Sequence, residues 1–125
     1  LQGAFQGCAS FNQDLSAWDV SKVTTLRGAF SDAAAFDQNI GAWDVSSVTT
    51  LQGAFQGAAS FDEDLGDWDV SKVTNMYATF YNAAAFNQPI GAWGAWDVSK
   101  VTTMQSAFQA ATTFNADIGA WDTSS

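Results

Sequence analysis

Histidine is missing from this chain, and only one cysteine, one proline and four basic residues are present. Without histidine, the chain lacks the commonest general base, the usual hydrolase triads and the ligand of most transition-metal sites. The single cysteine, Cys8, excludes an intrachain disulfide and a zinc site made of cysteines. We expect it to be a small, buried core residue.

The charge balance is strongly acidic, with thirteen Asp and Glu residues against four Lys and Arg and a formal net charge of −9. Nucleic-acid binding needs a basic face, and anionic membrane surfaces also attract basic segments. No apolar run is long enough to span a bilayer. The composition therefore predicts neither nucleic acid as a partner nor insertion into a membrane.

The whole chain is built from copies of one repeating unit of about 25 residues. The unit reads L/M-x-x-A/T-F-x-x-A-x-x-F-N/D-x-x-I/L-x-x-W-D-V-S-x-V-T-x. A single unit cannot bury its own apolar face, so neighbouring units are expected to stack and to form ladders of like side chains. The aromatic columns are Phe5, Phe30, Phe55, Phe80 and Phe108; Phe11, Phe36, Phe61, Phe86 and Phe114; and Trp18, Trp43, Trp68, Trp96 and Trp121.

The pattern within one unit predicts short elements of both types. Residues 25–33 carry apolar side chains at i, i+3, i+4 and i+7, which predicts a short helix, with Thr25 as its N-cap. Residues 18–20 and 23–24 predict two brief strands. The expected fold class is therefore an α/β repeat solenoid, similar to leucine-rich-repeat proteins, with about five 25-residue turns that each hold short strands and a short helix.

The turns run approximately over residues 1–25, 26–50, 51–75, 76–103 and 104–125 and form a single repeat array. Neither end carries a polar capping unit, which solenoids usually need. We therefore expect a segment of a longer chain. The alternative is a structural filament or wall component that self-associates end to end through its uncapped ends.

A family resemblance lies in residues 9–24, Ala-Ser-Phe-Asn-Gln-Asp-Leu-Ser-Ala-Trp-Asp-Val-Ser-Lys-Val-Thr. This string resembles the short repeat, of mycoplasma lipoprotein type, found in BspA-like leucine-rich-repeat surface proteins, and it recurs five times. The resemblance implies an extracellular or cell-surface location, a role without catalysis, and adhesion to host or matrix. It implies no particular ligand, and we expect a protein or glycan partner at a surface.

One acidic column runs through the array, always after Trp and before Val or Thr. Stacked carboxylates one strand spacing apart would repel each other by roughly 0.9 kcal/mol even at the dielectric constant of water, so each turn must offset that repulsion. Each Asp could accept backbone hydrogen bonds in an Asx-turn. The functional alternative is a row of binding sites, with calcium as the cation. The candidates are Asp19, Asp44, Asp69, Asp97 and Asp122.

A second candidate site is the insertion at residues 91–96, where a Gly-Ala-Trp triplet is duplicated. Only one of Trp93 and Trp96 can occupy the tryptophan column in this turn. We expect the other to be displaced toward solvent, either as a ligand contact or as part of a tolerated loop.

Enzymatic activity is not expected. Asp62, Glu63 and Asp64 could supply the carboxylate pair of a glycosidase, but three acids in one exposed loop are typical of a solvated turn. The predicted function is a non-catalytic interaction or adhesion segment with no resident cofactor or metal.

Overall fold

In the computed structural model, which describes residues 1–91 and 96–124, the repeats stack side by side with their columns in register. We number them 1 to 5 in chain order, over the ranges given above. The contact between neighbours is continuous, because backbone hydrogen bonds, aromatic rings and polar side chains each form a ladder with a step of one repeat. No described helix is long and apolar enough to cross a membrane.

The first eight residues of each repeat form a turn segment, and in repeats 1 to 4 the backbone amides of this segment alternate between two kinds of partner. Gly28 N donates to Gln52 O of the next repeat at 2.9 Å, and Phe30 N donates to Ala54 O at 2.8 Å. The intervening Ala29 N instead donates to Leu26 O, three residues back in its own repeat, at 2.9 Å. The turn segments are residues 1–8, 26–33, 51–58, 76–83 and 104–111.

The predicted α/β repeat solenoid is wrong, because the described residues contain no helix and almost no strand. The apolar pattern that predicted a helix over 25–33 instead belongs to consecutive β-turns, each closed by a bond from residue i+3 to residue i. A helix would keep its amide bonds within one repeat, whereas here every second amide bonds to the neighbouring repeat. Thr25 therefore caps no helix, and its Oγ1 accepts from Arg27 N at 3.2 Å.

The predicted strands at 18–20 and 23–24 are also absent. The chain does bend between them, since Ser21 N bonds to the Asp19 carboxylate at 3.1 Å and Val23 N bonds to Val20 O at 2.8 Å, but neither stretch pairs with a neighbour as a strand. What remains of a sheet is a line of single-residue parallel bridges joining Thr25, Thr50, Asn75 and Thr103.

Two positions in every turn segment adopt a left-handed backbone conformation with positive φ. In repeat 1 both are glycine, Gly3 and Gly7, whereas in repeat 5 they are Ser106 at φ 58° and Ala110 at φ 60°. A side chain with a Cβ atom pays roughly 1–2 kcal/mol in this region. The full set is Gly3, Gly7, Gly28, Asp32, Gly53, Gly57, Ala78, Asn82, Ser106 and Ala110.

Between the turns and the loops lies a core built from the two phenylalanine columns. Within repeat 2 the ring centroids of Phe30 and Phe36 are 4.2 Å apart, and from repeat 2 to repeat 3 Phe30 stacks on Phe55 at 5.5 Å. Such pairs contribute about 0.5–1.5 kcal/mol each beyond their burial. Phe30, Phe36 and Phe55 are fully buried.

The tryptophan column adds a polar ladder to this core. Trp68 Nε1 donates to Ile40 O of the preceding repeat at 3.0 Å, and Trp43 Nε1 donates to Leu15 O at 3.0 Å. Both indoles are buried. In repeats 2 to 5, the column tryptophan therefore donates a hydrogen bond to one backbone carbonyl of the preceding repeat.

The Asn or Asp after the second phenylalanine also links neighbouring repeats. Its side-chain oxygen accepts the amide of the equivalent residue in the next repeat: Asp37 N to Asn12 Oδ1 at 2.9 Å, Asp62 N to Asp37 Oδ1 at 3.1 Å, and Asn87 N to Asp62 Oδ1 at 2.8 Å. This ladder explains why the column accepts Asn and Asp alike, since both offer the same acceptor oxygen.

Cys8 is exposed, so the expectation of a buried core residue is wrong. Its equivalents Ala33, Ala58 and Ala83 are fully buried. The difference follows from position, because repeat 1 has a neighbour on one side only in this chain. The same position leaves Trp18 44% exposed.

Replacing Trp68 with Phe should lower the free energy of unfolding by about 2–3 kcal/mol, because it opens a cavity and leaves the buried Ile40 carbonyl without its donor. Trp18→Phe is the matched control and should cost less than about 0.5 kcal/mol, as expected for a surface site. Urea titration followed by circular dichroism measures both. Equal losses in the two variants would contradict the ladder.

Ala110→Gly should stabilise the protein by up to about 1 kcal/mol, because Ala110 is exposed and glycine relieves its left-handed backbone. The reciprocal change Gly7→Ala, at the same position of repeat 1 and with open space around its Cβ, should destabilise by about 1 kcal/mol. Thermal melting measures both signs. In a helix, Ala110→Gly would instead destabilise, so that outcome would contradict the turn geometry.

Candidate functional site

The aspartate column forms a row of Asx-turns. Asp44 Oδ1 accepts the Ser46 amide at 3.1 Å and the Ser46 hydroxyl at 2.7 Å, and Asp19 holds Ser21 in the same way at 3.1 and 2.6 Å. The carboxylates are exposed. Equivalent amide bonds occur at the other three positions, Asp69 to Ser71, Asp97 to Ser99 and Asp122 to Ser124.

These hydrogen bonds lower the pKa of the aspartates more than the repulsion between neighbouring carboxylates raises it. The Ser46 hydroxyl, followed by the Ser46 amide, lowers the pKa of Asp44 below 3.8, while the charges of Asp69 and Asp19 raise it by less. At Asp69 the Ser71 hydroxyl and amide again dominate, and Lys72 lowers the pKa further. The serine two residues on is therefore what offsets the repulsion in each turn.

The acids at the candidate glycosidase position have structural partners. Asp62 belongs to the Asn/Asp ladder, and Asp64 Oδ1 accepts the Gly66 amide at 2.8 Å. Glu63 is half-buried, and burial, with the charges of Asp37 and Asp62, raises its pKa. Within residues 1–91 and 96–124, no group of three or more His, Cys, Asp or Glu side chains could hold a metal ion.

At the insertion, Trp96 occupies the tryptophan column. Its Nε1 donates to Leu65 O at 2.9 Å, it stacks on Trp68 at 6.4 Å, and it is 3% exposed. Trp96 is thus a core residue in this structure. Trp93, the other candidate ligand contact, lies outside the described residues.

A groove on the turn segments crosses four repeats and has a volume of about 360 Å³. Its floor is the glycine backbone at Gly3, Gly28 and Gly53. Its walls are the side chains immediately before and three residues after each glycine, of which Ser31 is buried. We call it the amide groove, because four of its wall residues carry side-chain amides. Its main wall residues are Gln2, Gln6, Arg27, Gln52, Gln56 and Tyr77.

The amide groove differs chemically from the rest of the molecule. Of the thirteen acids in the chain, Asp32 alone lines the groove within the described residues, and Arg27 balances its charge. Tyr77 is 40% exposed at one end. The sequence signal for the walls was a Gln pair four residues apart in repeats 1, 3 and 5, with Arg27 and Ser31 at these positions in repeat 2 and Tyr77 and Tyr81 in repeat 4.

The stacked turns and the outward groove define a repeat protein whose invariant residues maintain the stack. A family model described as Mycoplasma protein of unknown function, DUF285, matches residues 1–95 and 94–125. The chain belongs to this family, which is related to the BspA-like surface repeat proteins. The leucine-rich-repeat part of the resemblance is not confirmed. No curated protein and no solved structure matches the chain.

Ser46→Ala should raise the pKa of Asp44 toward 3.8, because it removes the hydroxyl that lowers it most. A carboxyl with a lowered folded pKa contributes stability above its unfolded pKa and loses it as the pH falls through the folded value. The wild type should therefore lose stability on acidification below about pH 4, and the variant should lose less.

NMR titration of the Asp44 carboxyl carbon measures the pKa directly. The neighbouring Ser47→Ala is the matched control and should leave the Asp44 pKa in place, since Ser46 supplies both hydrogen bonds. An Asp44 pKa unchanged in Ser46→Ala would contradict the assignment. Glu63 has the opposite effect on the pH dependence of stability. Because its folded pKa is raised, its contribution to stability is lost as the pH rises through that pKa.

Proposed function

We propose that this chain is a non-catalytic interaction module that acts at the cell surface or outside the cell and binds a protein or glycan partner. The observation that carries the proposal is the amide groove, which runs across four stacked repeats. A continuous concave surface of this kind is how stacked-repeat proteins commonly bind extended partners.

The division of labour within the repeat supports this proposal. Positions that recur in every unit are used internally: Phe30 and Trp43 in the core, Asn12 in the ladder and Asp44 in its turn. The wall positions of the groove vary between repeats, and the side chains of Gln2, Arg27, Gln52 and Tyr77 make no hydrogen bond to a neighbouring repeat within the described residues. Variable side chains on a fixed scaffold can change ligand without changing the fold.

The charge distribution narrows the class of partner. A net charge of −9 opposes binding to nucleic acid. A glycosidase would need two carboxylates such as those of Asp62 and Asp64. In this structure each of them accepts a hydrogen bond from a backbone amide, which is a structural role.

That the chain is a filament or wall component stays a prediction.

Binding is tested with the biotinylated 1–125 chain on two arrays, one of extracellular-matrix proteins and one of glycans, at about 0.15 M salt, where weak surface electrostatics are screened. We expect saturable binding to members of at least one array. The control is Phe55→Asp, which places a charge in the core and should unfold the stack. Failure of the folded chain to bind on both arrays would overturn the proposal.

A further inference from the structure

The walls of the amide groove offer hydrogen-bonding groups that the chain itself does not use. Gln2, Gln6, Gln52 and Gln56 each carry an amide with two donor hydrogens and an acceptor oxygen. Among the described residues, none of these four amides has a hydrogen-bond partner. Gln52 and Gln56 are half-buried.

On the floor of the groove, in contrast, the backbone donors and acceptors of Gly28 and Gly53 are already hydrogen-bonded within the protein. Gly28 N donates to Gln52 O and Gly53 N to Tyr77 O, both at 2.9 Å. The carbonyls of Gly28 and Gly53 accept from Ser31 and Gln56 at 3.1 and 3.2 Å. A peptide that adds as a β-strand needs free backbone groups on its receptor, and these glycines offer none.

The chemistry of the walls suits a neutral ligand rich in hydroxyl groups. An amide that both donates and accepts matches a pair of neighbouring sugar hydroxyls, which do the same. The opposite charges of Arg27 and Asp32 leave the groove without net charge. The exposed ring of Tyr77 can stack against the apolar face of a sugar ring.

The spacing of the repeats matches such a ligand. In the buried core, the ring centroids of successive repeats are 5.3 Å apart from Phe5 to Phe30, 5.5 Å apart from Phe30 to Phe55 and 5.7 Å apart from Phe36 to Phe61. The hydrogen-bonded backbone that carries the groove residues is expected to repeat at roughly 4.7–4.9 Å, as neighbouring strands do. One hexose unit of an extended β-linked chain has nearly this length. A polysaccharide lying along the stack would therefore present one sugar to each repeat.

We propose that the amide groove binds a neutral, extended polysaccharide, with about one sugar per repeat over the four repeats that line it. This inference rests on the proposed interaction function and specifies its ligand class. Gln52 and Gln56 hydrogen-bond the sugar hydroxyls, and Tyr77 stacks on a sugar at one end of the groove.

The test is isothermal titration of the 1–125 chain with β-linked neutral oligosaccharides, the cello- and chito-oligosaccharide series from two to six sugars. At least one series should bind saturably, with an affinity that rises up to four sugars and then levels off. Because the ligand is uncharged, the affinity should change little between low and high salt.

Gln52→Ala combined with Gln56→Ala should weaken binding about tenfold or more, through the lost hydrogen bonds. Tyr77→Ala should weaken it about three- to tenfold, through the lost stacking contact. Gln13→Ala, at an exposed loop position away from the groove, is the matched control and should leave the affinity unchanged. Melting temperatures near that of the wild type confirm that the variants are folded.

The outcomes separate this proposal from the broader one. Binding only to proteins, or only to acidic glycans in a salt-sensitive way, would overturn the neutral-polysaccharide groove and leave the interaction module standing. Saturable binding that the groove variants do not weaken would also overturn it. Absence of binding to both protein and glycan arrays would overturn both proposals.

Discussion

The rest of the structure depends on the alternation of backbone hydrogen bonds in the turn segments. In repeats 1 to 4, every second amide of the turn segment, such as Gly28 N or Phe30 N, bonds to a carbonyl of the next repeat. A buried amide without a partner costs about as much as a lost hydrogen bond, so an isolated repeat would carry several such penalties. The stack is therefore the smallest unit that satisfies the backbone, which is a stricter demand than shared apolar burial alone.

The side-chain ladders follow from this step of one repeat. Trp68 reaches back to Ile40 O, and Asp62 accepts the amide of Asn87, so each is fixed by a neighbour rather than by its own turn. The insertion shows how firmly this register is held. Trp96 donates to a carbonyl 31 residues earlier, where Trp68 spans 28, and both indoles still occupy the same column.

Sequence reasoning could find the period, the core columns and the bends at the aspartates, because each depends on residues that recur at one spacing. It could not distinguish a helix from consecutive β-turns over residues 26–33, since both place apolar side chains at i, i+3, i+4 and i+7. The signal against a helix lay in the equivalent stretch of repeat 3, residues 51–58, where Gly53 and Gly57 both have positive φ. The amide groove was out of reach, because its walls become neighbours only through stacking.

The same stacking that occupies the residues recurring in every repeat also creates the surface on which the variable residues lie. Phenylalanine, tryptophan and the Asp–Ser pairs are consumed by the ladders and turns, and the acids that remain exposed lie almost entirely outside the amide groove. A row such as Gln2, Arg27, Gln52 and Tyr77 can vary freely, because none of these side chains holds a repeat to its neighbour. Repeats that share their core residues but differ in their surface residues can therefore keep one architecture while presenting different side chains to a ligand.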